Sequence, residues 1–153
     1  MDLMNASTEE HLKIARELFE EYAASLNFEI CFQNFAAELA QLPGYYAPPS
    51  GRLLLAFHNG RAAGCVALRR MEDGVCEMKR LYVRPEFRGS GIGTALAESV
   101  VCHARETGYK IMRLDTVSSM HKAQSIYKSL GFVDTKPYCF NLLEGVRYME
   151  LNI

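Results

Sequence analysis

No stretch of about 20 consecutive apolar residues occurs in this chain, so nothing in it has the length and character of a membrane-spanning helix. Charge of one sign is missing too: 17 Lys and Arg stand against 18 Asp and Glu, a net of −1. That balance removes the electrostatic case for nucleic acid or an acidic membrane surface as a partner. The five cysteines, Cys31, Cys65, Cys76, Cys102 and Cys139, form no C-x-x-C pair, and four of them sit in apolar runs. An odd, scattered set predicts reduced, buried thiols and a cytoplasmic protein. Residues Met1 to Ser7 lack the basic start and apolar centre of a secretory signal. Internal repeats, linkers and low-complexity tracts are absent, and 153 residues suit one ordinary domain with a full core, spanning 1–153.

The most informative stretch is Met78 to Thr94, M-K-R-L-Y-V-R-P-E-F-R-G-S-G-I-G-T. An apolar strand runs into Pro85, which has no backbone N–H with which to continue a ladder. Gly89, Gly91 and Gly93 then remove side chains where the backbone bends and a ligand can come close. A helix beginning near Gly91 turns its free N–H groups and the positive end of its dipole back into this loop. The loop is therefore a site for an anion, most naturally a phosphate. Two familiar phosphate loops do not fit: no lysine follows these glycines as in G-x-x-x-x-G-K-[ST], and the spacing is G-x-G-x-G, not G-x-G-x-x-G.

The strand carries a second signal. Cys76 and Met78 are apolar at even positions, Leu81 and Val83 at odd ones. Strand side chains alternate with period two, so the apolar face changes parity between Met78 and Leu81. Two readings fit: one inserted residue, a β-bulge, or a strand buried on both faces.

Along the rest of the chain, Leu3 and Met4 allow a short edge strand. Ser7 and Glu10 have capping-box spacing, and Leu12, Ala15, Leu18, Phe19, Tyr22 and Leu26 predict a helix from Thr8 to Ser25. Phe32, Phe35, Ala36 and Leu39 predict a second helix ending before Pro43-Gly44, followed by a loop from Leu42 to Gly51. Leu53 to Phe57 and Ala62 to Leu68 read as strands joined at Asn59-Gly60, with Asp73-Gly74 turning into the strand through Met78. A helix runs from the glycine loop to about Thr107 and stops at Gly108. Lys110 to Val117 is a strand, parallel to the one before that helix, with a right-handed crossover. Ala123, Ile126, Tyr127 and Leu130 share a helix face ended by Gly131. Phe132-Val133 and Val146 to Leu151 are further strands around a loop from Pro137 to Glu144. The sum is one α+β domain with a mixed sheet.

Arg88-x-x-Gly91-x-Gly93, set between a strand, Pro85-Glu86-Phe87 and a helix, resembles the acyl-CoA pyrophosphate loop of the GNAT superfamily of N-acetyltransferases. Ala123-x-x-Ile126-Tyr127-x-x-x-Gly131-Phe132 resembles that family's A-x-x-L-Y-x-x-x-G-F segment, and Val75 to Phe132 follows the family core in order and spacing. One position departs: where the family often has Asn three residues before this Ala, the chain has Met120. The resemblance implies a mixed, mostly antiparallel sheet flanked by helices, with a splayed central parallel pair. It also implies acetyl-CoA as co-substrate, no metal, and direct acetyl transfer to a primary amine of a small molecule or peptide. The implied coenzyme site is Leu81, Tyr82 and Val83, whose backbone would meet the pantetheine arm beside a bulge, together with Arg88, Gly89, Ser90, Gly91, Ile92, Gly93 and Thr94.

The chemistry further needs a way to take a proton from the amine and to stabilise the leaving thiolate. Tyr127 is the family's candidate for the thiolate; packing on an apolar face with Ala123 and Ile126 is the other reading. Glu77 is the candidate base, with a pKa raised by a partly buried cleft; a solvated strand charge or a partner for Lys79 is the other reading. His103 and His121 are weaker candidates, and Asp115, in an apolar strand, needs a hydrogen-bond partner. Tyr45, Tyr46, Tyr138, Phe140 and Asn141 are loop candidates for an acceptor pocket. A different class, a non-catalytic acyl-CoA-binding module that senses the ligand or regulates a partner, needs the same loop without a proton path. The sequence leaves homodimerisation open, through an exposed sheet edge or the C-terminal strand.

Overall fold

The computed structural model describes residues 1–26, 35–117, 120–139 and 145–153. Cys31, Phe32, Phe140 and Asn141, and the expectations placed on them, lie outside the described residues.

A seven-stranded sheet carries the fold, in the order β1-β2-β3-β4-β5-β7-β6. Its strands are β1 (Asp2–Asn5), β2 (Arg52–His58), β3 (Arg61–Glu72), β4 (Val75–Val83), β5 (Ile111–Val117), β6 (Val133–Asp134) and β7 (Val146–Asn152). The helices are α1 (Glu9–Ser25), α2 (Phe35–Gln41), α3 (Ile92–Thr107) and α4 (His121–Leu130). Among the described residues only β4 and β5 pair in parallel, because the helical crossover α3 joins them. Leu3 and Met4 do belong to an edge strand, pairing with Ala56 and Leu55. The C-terminal strand β7 is an inner strand, and β6 forms the other edge.

Each face of the sheet buries its own apolar cluster. Leu12, Ala15, Leu18 and Phe19 of α1 pack with Leu53, Leu55, Cys65, Ala67 and Tyr82 on one face. Ile92, Leu96, Val100 and Ala104 of α3 pack with Val66, Met78, Leu81, Met112 and Leu114 on the other. Thr8 rather than Ser7 caps α1, its side chain accepting from the His11 N–H at 3.1 Å. Cys65 and Cys76 are buried as expected, but Cys102 and Cys139 are exposed. Cys102 follows Val101 onto the outer side of α3, where the helical turn carries it out of the apolar stripe. Among the described residues no helix is long and apolar enough to cross a membrane.

Two features of β4 set up the site. Lys79 pairs with Ala67 and Tyr82 with Cys65, so three steps on β4 oppose two on β3. Arg80 takes up the extra residue with φ of 61°, the left-handed geometry of a bulge. Cys76, Met78 and Leu81 thereby all face α3, while Tyr82 joins the α1 cluster. Gly64 makes room for this: a Cβ there would lie 2.5 Å from the Tyr82 carbonyl oxygen. The second feature is that β4 pairs with β5 only through Val75, Cys76 and Glu77. Beyond Glu77 the two strands diverge, and β4 is buried on both faces up to its splayed end. The two sequence readings, bulge and double burial, both hold.

Candidate functional site

The loop between β4 and α3 has the properties of an anion cradle. Gly91 caps α3 with φ of 84°, makes no side-chain capping bond, and leaves the first turn of the helix without an acidic residue. From Gly89 to Thr94 no backbone N–H finds an acceptor among the described residues; the first helical bond is Ala95 N–H to Gly91 O at 3.0 Å. A Cβ on Gly89 or Gly91 would meet nothing within 4 Å, so the loop opens outward. Gly93 is different: a Cβ there would press on Ile126 Cδ1 at 3.2 Å, so this glycine lets α3 pack against α4. The Ser90 hydroxyl donates to Phe87 O at 2.6 Å, and Arg88 Nε donates to Val83 O at 2.9 Å with its guanidinium 5.8 Å from the Tyr82 ring centroid. Orphan donors at a helix N-terminus and an adjacent cation attract an anion for the reasons the sequence suggested.

From this loop the splayed edge of β4 leads inward. The backbone of Leu81, Tyr82 and Val83 has β3 on one side and, among the described residues, no strand on the other. The tip of β4 is fixed by Arg84, whose Nε and Nη2 reach both oxygens of Glu21 on α1 and whose Nη1 donates to Ala62 O at 3.0 Å.

Tyr127 is buried on α4, its ring edge-on to Phe132 with centroids 5.8 Å apart. Gln124 anchors this helix by donating from Nε2 to Val117 O at 2.8 Å, and Arg147 ties Gln124 to Asp134. No acceptor among the described residues holds the Tyr127 hydroxyl. Burial pushes its pKa up, and Tyr22 and Asp115 push it further. Tyr22 belongs to α1, on the opposite face of the sheet. Burial pushes Tyr22 itself up to about 12. Thr116 of β5 adds a buried hydroxyl, without a partner among the described residues, in this diverging stretch.

Glu77 sits at the apex of the divergence and is 1% exposed. Arg69 Nε donates to its Oε1 at 2.7 Å and the Tyr138 hydroxyl to its Oε2 at 2.6 Å, while Lys79 Nζ stands 3.8 Å from Oε1. The expected raised pKa is not found. Burial does push it up, but Lys79, the Tyr138 hydroxyl and Arg69 together outweigh burial and hold the carboxyl below the usual glutamate range. Glu77 is thus a firmly ionised carboxylate rather than a strong base. A group whose pKa is lowered by folding stabilises the fold above its unfolded pKa, and this is lost as pH falls through the folded value. Glu77→Gln should therefore cost roughly 1.5–3 kcal/mol at neutral pH, the range for hydrogen bonds to charged groups. The gap from wild type should begin to narrow below about pH 4, the ordinary glutamate value, and narrow further as pH falls through the lower folded value. Melting temperatures measured from pH 7 to pH 3 check this; a gap that stays constant would show that the ionisation of Glu77 is not what the fold uses.

The other sequence candidates divide. Tyr138 reaches the site through Glu77, and Tyr46 lies buried beside Glu38 and Arg80. Tyr45 is 75% exposed and stays outside. His103 lies on α3 beside Glu106, away from the loop. Met120 occupies the N-cap of α4 without a side-chain capping bond. Arg69, Arg80 and Glu38 went unrecognised in the sequence. Arg80 is 8% exposed and forks onto Glu38 of α2 through Nε and Nη2, at 3.0 and 3.1 Å. The signal for it was Arg80 at the parity change itself, a charge where the apolar strand should be tightest.

An α+β sheet that opens between one parallel pair, above a helix-capped anion loop, defines a class of coenzyme-dependent group-transfer proteins. A sequence profile of the acetyltransferase (GNAT) family matches residues 9–132. An uncharacterised N-acetyltransferase of Schizosaccharomyces pombe is 41% identical over 138 residues, covering 89% of this chain and 85% of that protein. Among solved structures, a GNAT-family acetyltransferase from Staphylococcus aureus superposes with a TM-score of 0.83 at 21% identity, over 99% of this chain and 98% of that one. A Salmonella typhimurium acetyltransferase does so at 0.72 and 20%, over 99% and 93%. The chain belongs to the GNAT acetyltransferase family.

Proposed function

We propose that this protein moves an acetyl group from acetyl-CoA to a primary amine of a small molecule or peptide by direct transfer. The observation that carries this reading is the run of unpaired N–H groups from Gly89 to Thr94, opening onto the bulged, splayed edge of β4. These residues fit a pyrophosphate: the donors are orphaned, the space at Gly89 and Gly91 is open, and no acidic side chain stands in the first turn of α3. The Salmonella typhimurium structure was solved with acetyl-CoA, which supports the choice of coenzyme.

When bound, the coenzyme supplies an acetyl group activated as a thioester. Gly89 to Thr94 hold its phosphate charge, and Arg88 adds a cation. Backbone groups of Leu81 to Val83, freed by the divergence from β5, line the arm and polarise the carbonyl. Tyr127 donates a hydrogen bond to the departing sulfur. Burial holds its pKa above the ordinary phenol value of about 10, and a thiol's lies near 8.5, so the phenol stabilises the thiolate without giving up its proton outright. Glu77, ionised and already held by Arg69, Lys79 and Tyr138, orders the strand at the mouth of the cleft, and the proton of the acceptor's ammonium form leaves to water. Mixing the protein with acetyl-CoA and a panel of amines, and following free thiol together with acetylated product by mass spectrometry, tests the reading. Transfer to at least one amine above the background of hydrolysis is expected; tight acetyl-CoA binding with no transfer across the panel would favour the non-catalytic binding module.

A further inference from the structure

Of the ten residues of α4, two are buried: Gln124 and Tyr127. A helix of that length is marginal by itself in water, so its place is set by what it packs against. Met120 at its N-cap makes no side-chain capping bond. Ala123, Ile126 and Leu130 are partly buried against the core, and such apolar contact has no preferred direction.

What fixes α4 along its own axis is polar. Gln124 Nε2 donates to Val117 O at 2.8 Å, and the Met120 N–H donates to the same oxygen at 3.0 Å. Val117 is the last residue of β5, so both lone pairs of that carbonyl tie the end of the strand to the start of the helix. Arg147 of β7 donates from Nη1 to Gln124 Oε1 at 3.2 Å, while its Nε and Nη2 hold the two oxygens of Asp134 on β6. Arg147 stands opposite Thr116 in the β5–β7 register, so it carries the position of the sheet into the helix.

An apolar residue at position 124 would bury without this pairing. An amide costs free energy to bury unless its groups find partners, and here each end of it does. In return, paired polar groups fix a distance and a direction that apolar packing leaves loose. Tyr127 follows three residues later, about 4.5 Å along the axis and about 60° round it. Its contact with Phe132 is apolar, and no acceptor among the described residues holds its hydroxyl. The aim of the phenol is therefore inherited from the seat of the helix, and that seat from the Gln124 amide.

We infer that Gln124 and Arg147 are positioning residues for the transfer step. Through the chain Asp134, Arg147, Gln124 and Val117 O, the ends of β5 and β7 set where the Tyr127 hydroxyl meets the departing sulfur. The inference rests on the transferase reading and deepens it. Neither residue touches a reactant; both act through Tyr127.

The test places each change on two backgrounds. Gln124→Leu keeps the bulk of the side chain and removes both hydrogen bonds. Arg147→Met removes the outer one, and Asp134 is exposed, so no buried charge is stranded. In the otherwise wild-type protein Gln124→Leu should lower kcat about tenfold, since misplacement by about 1 Å can cost up to about a hundredfold. Arg147→Met should lower it less, and Arg147→Lys, which keeps a donor for Gln124 Oε1, should restore part of that loss. Kd for acetyl-CoA should stay near wild type in all three. On the Tyr127→Phe background the same changes should cost no further kcat, because the group they position is gone. Equal losses on both backgrounds, or wild-type kcat in Gln124→Leu, would overturn the positioning role and leave the transferase intact. So would Tyr127→Phe with wild-type kcat. Should Gln124→Leu fail to fold, Arg147→Met on the two backgrounds decides alone. If no amine is acetylated, NMR of ring-labelled tyrosine decides instead. The signals missing from Tyr127→Phe should shift or broaden in Arg147→Met, and signals left in place overturn the inference.

Discussion

Gly91→Glu should abolish acetyl-CoA binding in a protein that still folds. The position has φ of 84°, and a Cβ there would meet nothing within 4 Å, so a side chain points into open space without disturbing the core. The left-handed backbone costs about 1–2 kcal/mol for an L residue, a tolerable loss. What the loop cannot tolerate is the charge. A carboxylate about 4 Å from a phosphate opposes it by on the order of 4 kcal/mol at an effective dielectric of 20, about a thousandfold in Kd. The carboxylate would also satisfy the orphan N–H groups that a pyrophosphate needs. Calorimetry with acetyl-CoA measures the loss directly. Ligand-dependent shifts in melting temperature give a second reading, because a ligand selective for the native state stabilises it by mass action. Gly91→Ala, strained but uncharged, should keep most of the affinity. Wild-type affinity in a folded Gly91→Glu protein would sink the assignment of this loop.

Tyr127→Phe should lower kcat at least about tenfold while leaving acetyl-CoA affinity close to wild type. The ring's place against Phe132 is unchanged by the substitution, and no hydrogen bond among the described residues is lost with the hydroxyl. Stability should therefore move little. A hydrogen bond that forms only as charge develops on the sulfur acts on the transition state and not on the ground state, so its loss appears in kcat. Donors aimed at a developing anion typically contribute about 10²- to 10³-fold. Steady-state kinetics on an identified amine, with a melting curve alongside, decide the matter. Near-wild-type kcat in a chemistry-limited assay would return Tyr127 to the core and leave the thiolate to take its proton from the departing ammonium or from water.

How far the sequence was legible depended on the range of the interaction. The glycine loop, the Asn59-Gly60 and Asp73-Gly74 turns and the parity change before Leu81 are local, and each was readable because backbone geometry restricts which residues can stand there. Arg80 in the left-handed region shows what a parity argument misses: it located the extra residue but not the ion pair with Glu38, 42 positions away in the chain. Glu77 shows the same limit with the opposite outcome. A half-buried strand carboxylate looks like one whose pKa rises, and only the convergence of Arg69, Lys79 and Tyr138 from three elements reverses the direction. The capping box failed by one residue, since Ser7 and Thr8 are chemically equivalent caps and the choice between them depends on where β1 releases the chain.

The short contact between β4 and β5 bears on the order in which the molecule assembles. β2, β3 and β4 are joined by tight turns, so their pairings link residues close in sequence and can form early. The rungs from Val75 to Glu77 must wait for the whole of α3 to be laid across the sheet, a larger loop closed for far fewer backbone bonds. That joint also borders the proposed coenzyme cleft. Weakening the β5–β7 half should therefore loosen that joint before the β2–β4 hairpins, and a titration with acetyl-CoA should show the damage first as lost binding. In the proposed binding mode, a coenzyme lying along both lips would contribute cross-strand contacts that β4 and β5 do not make with each other.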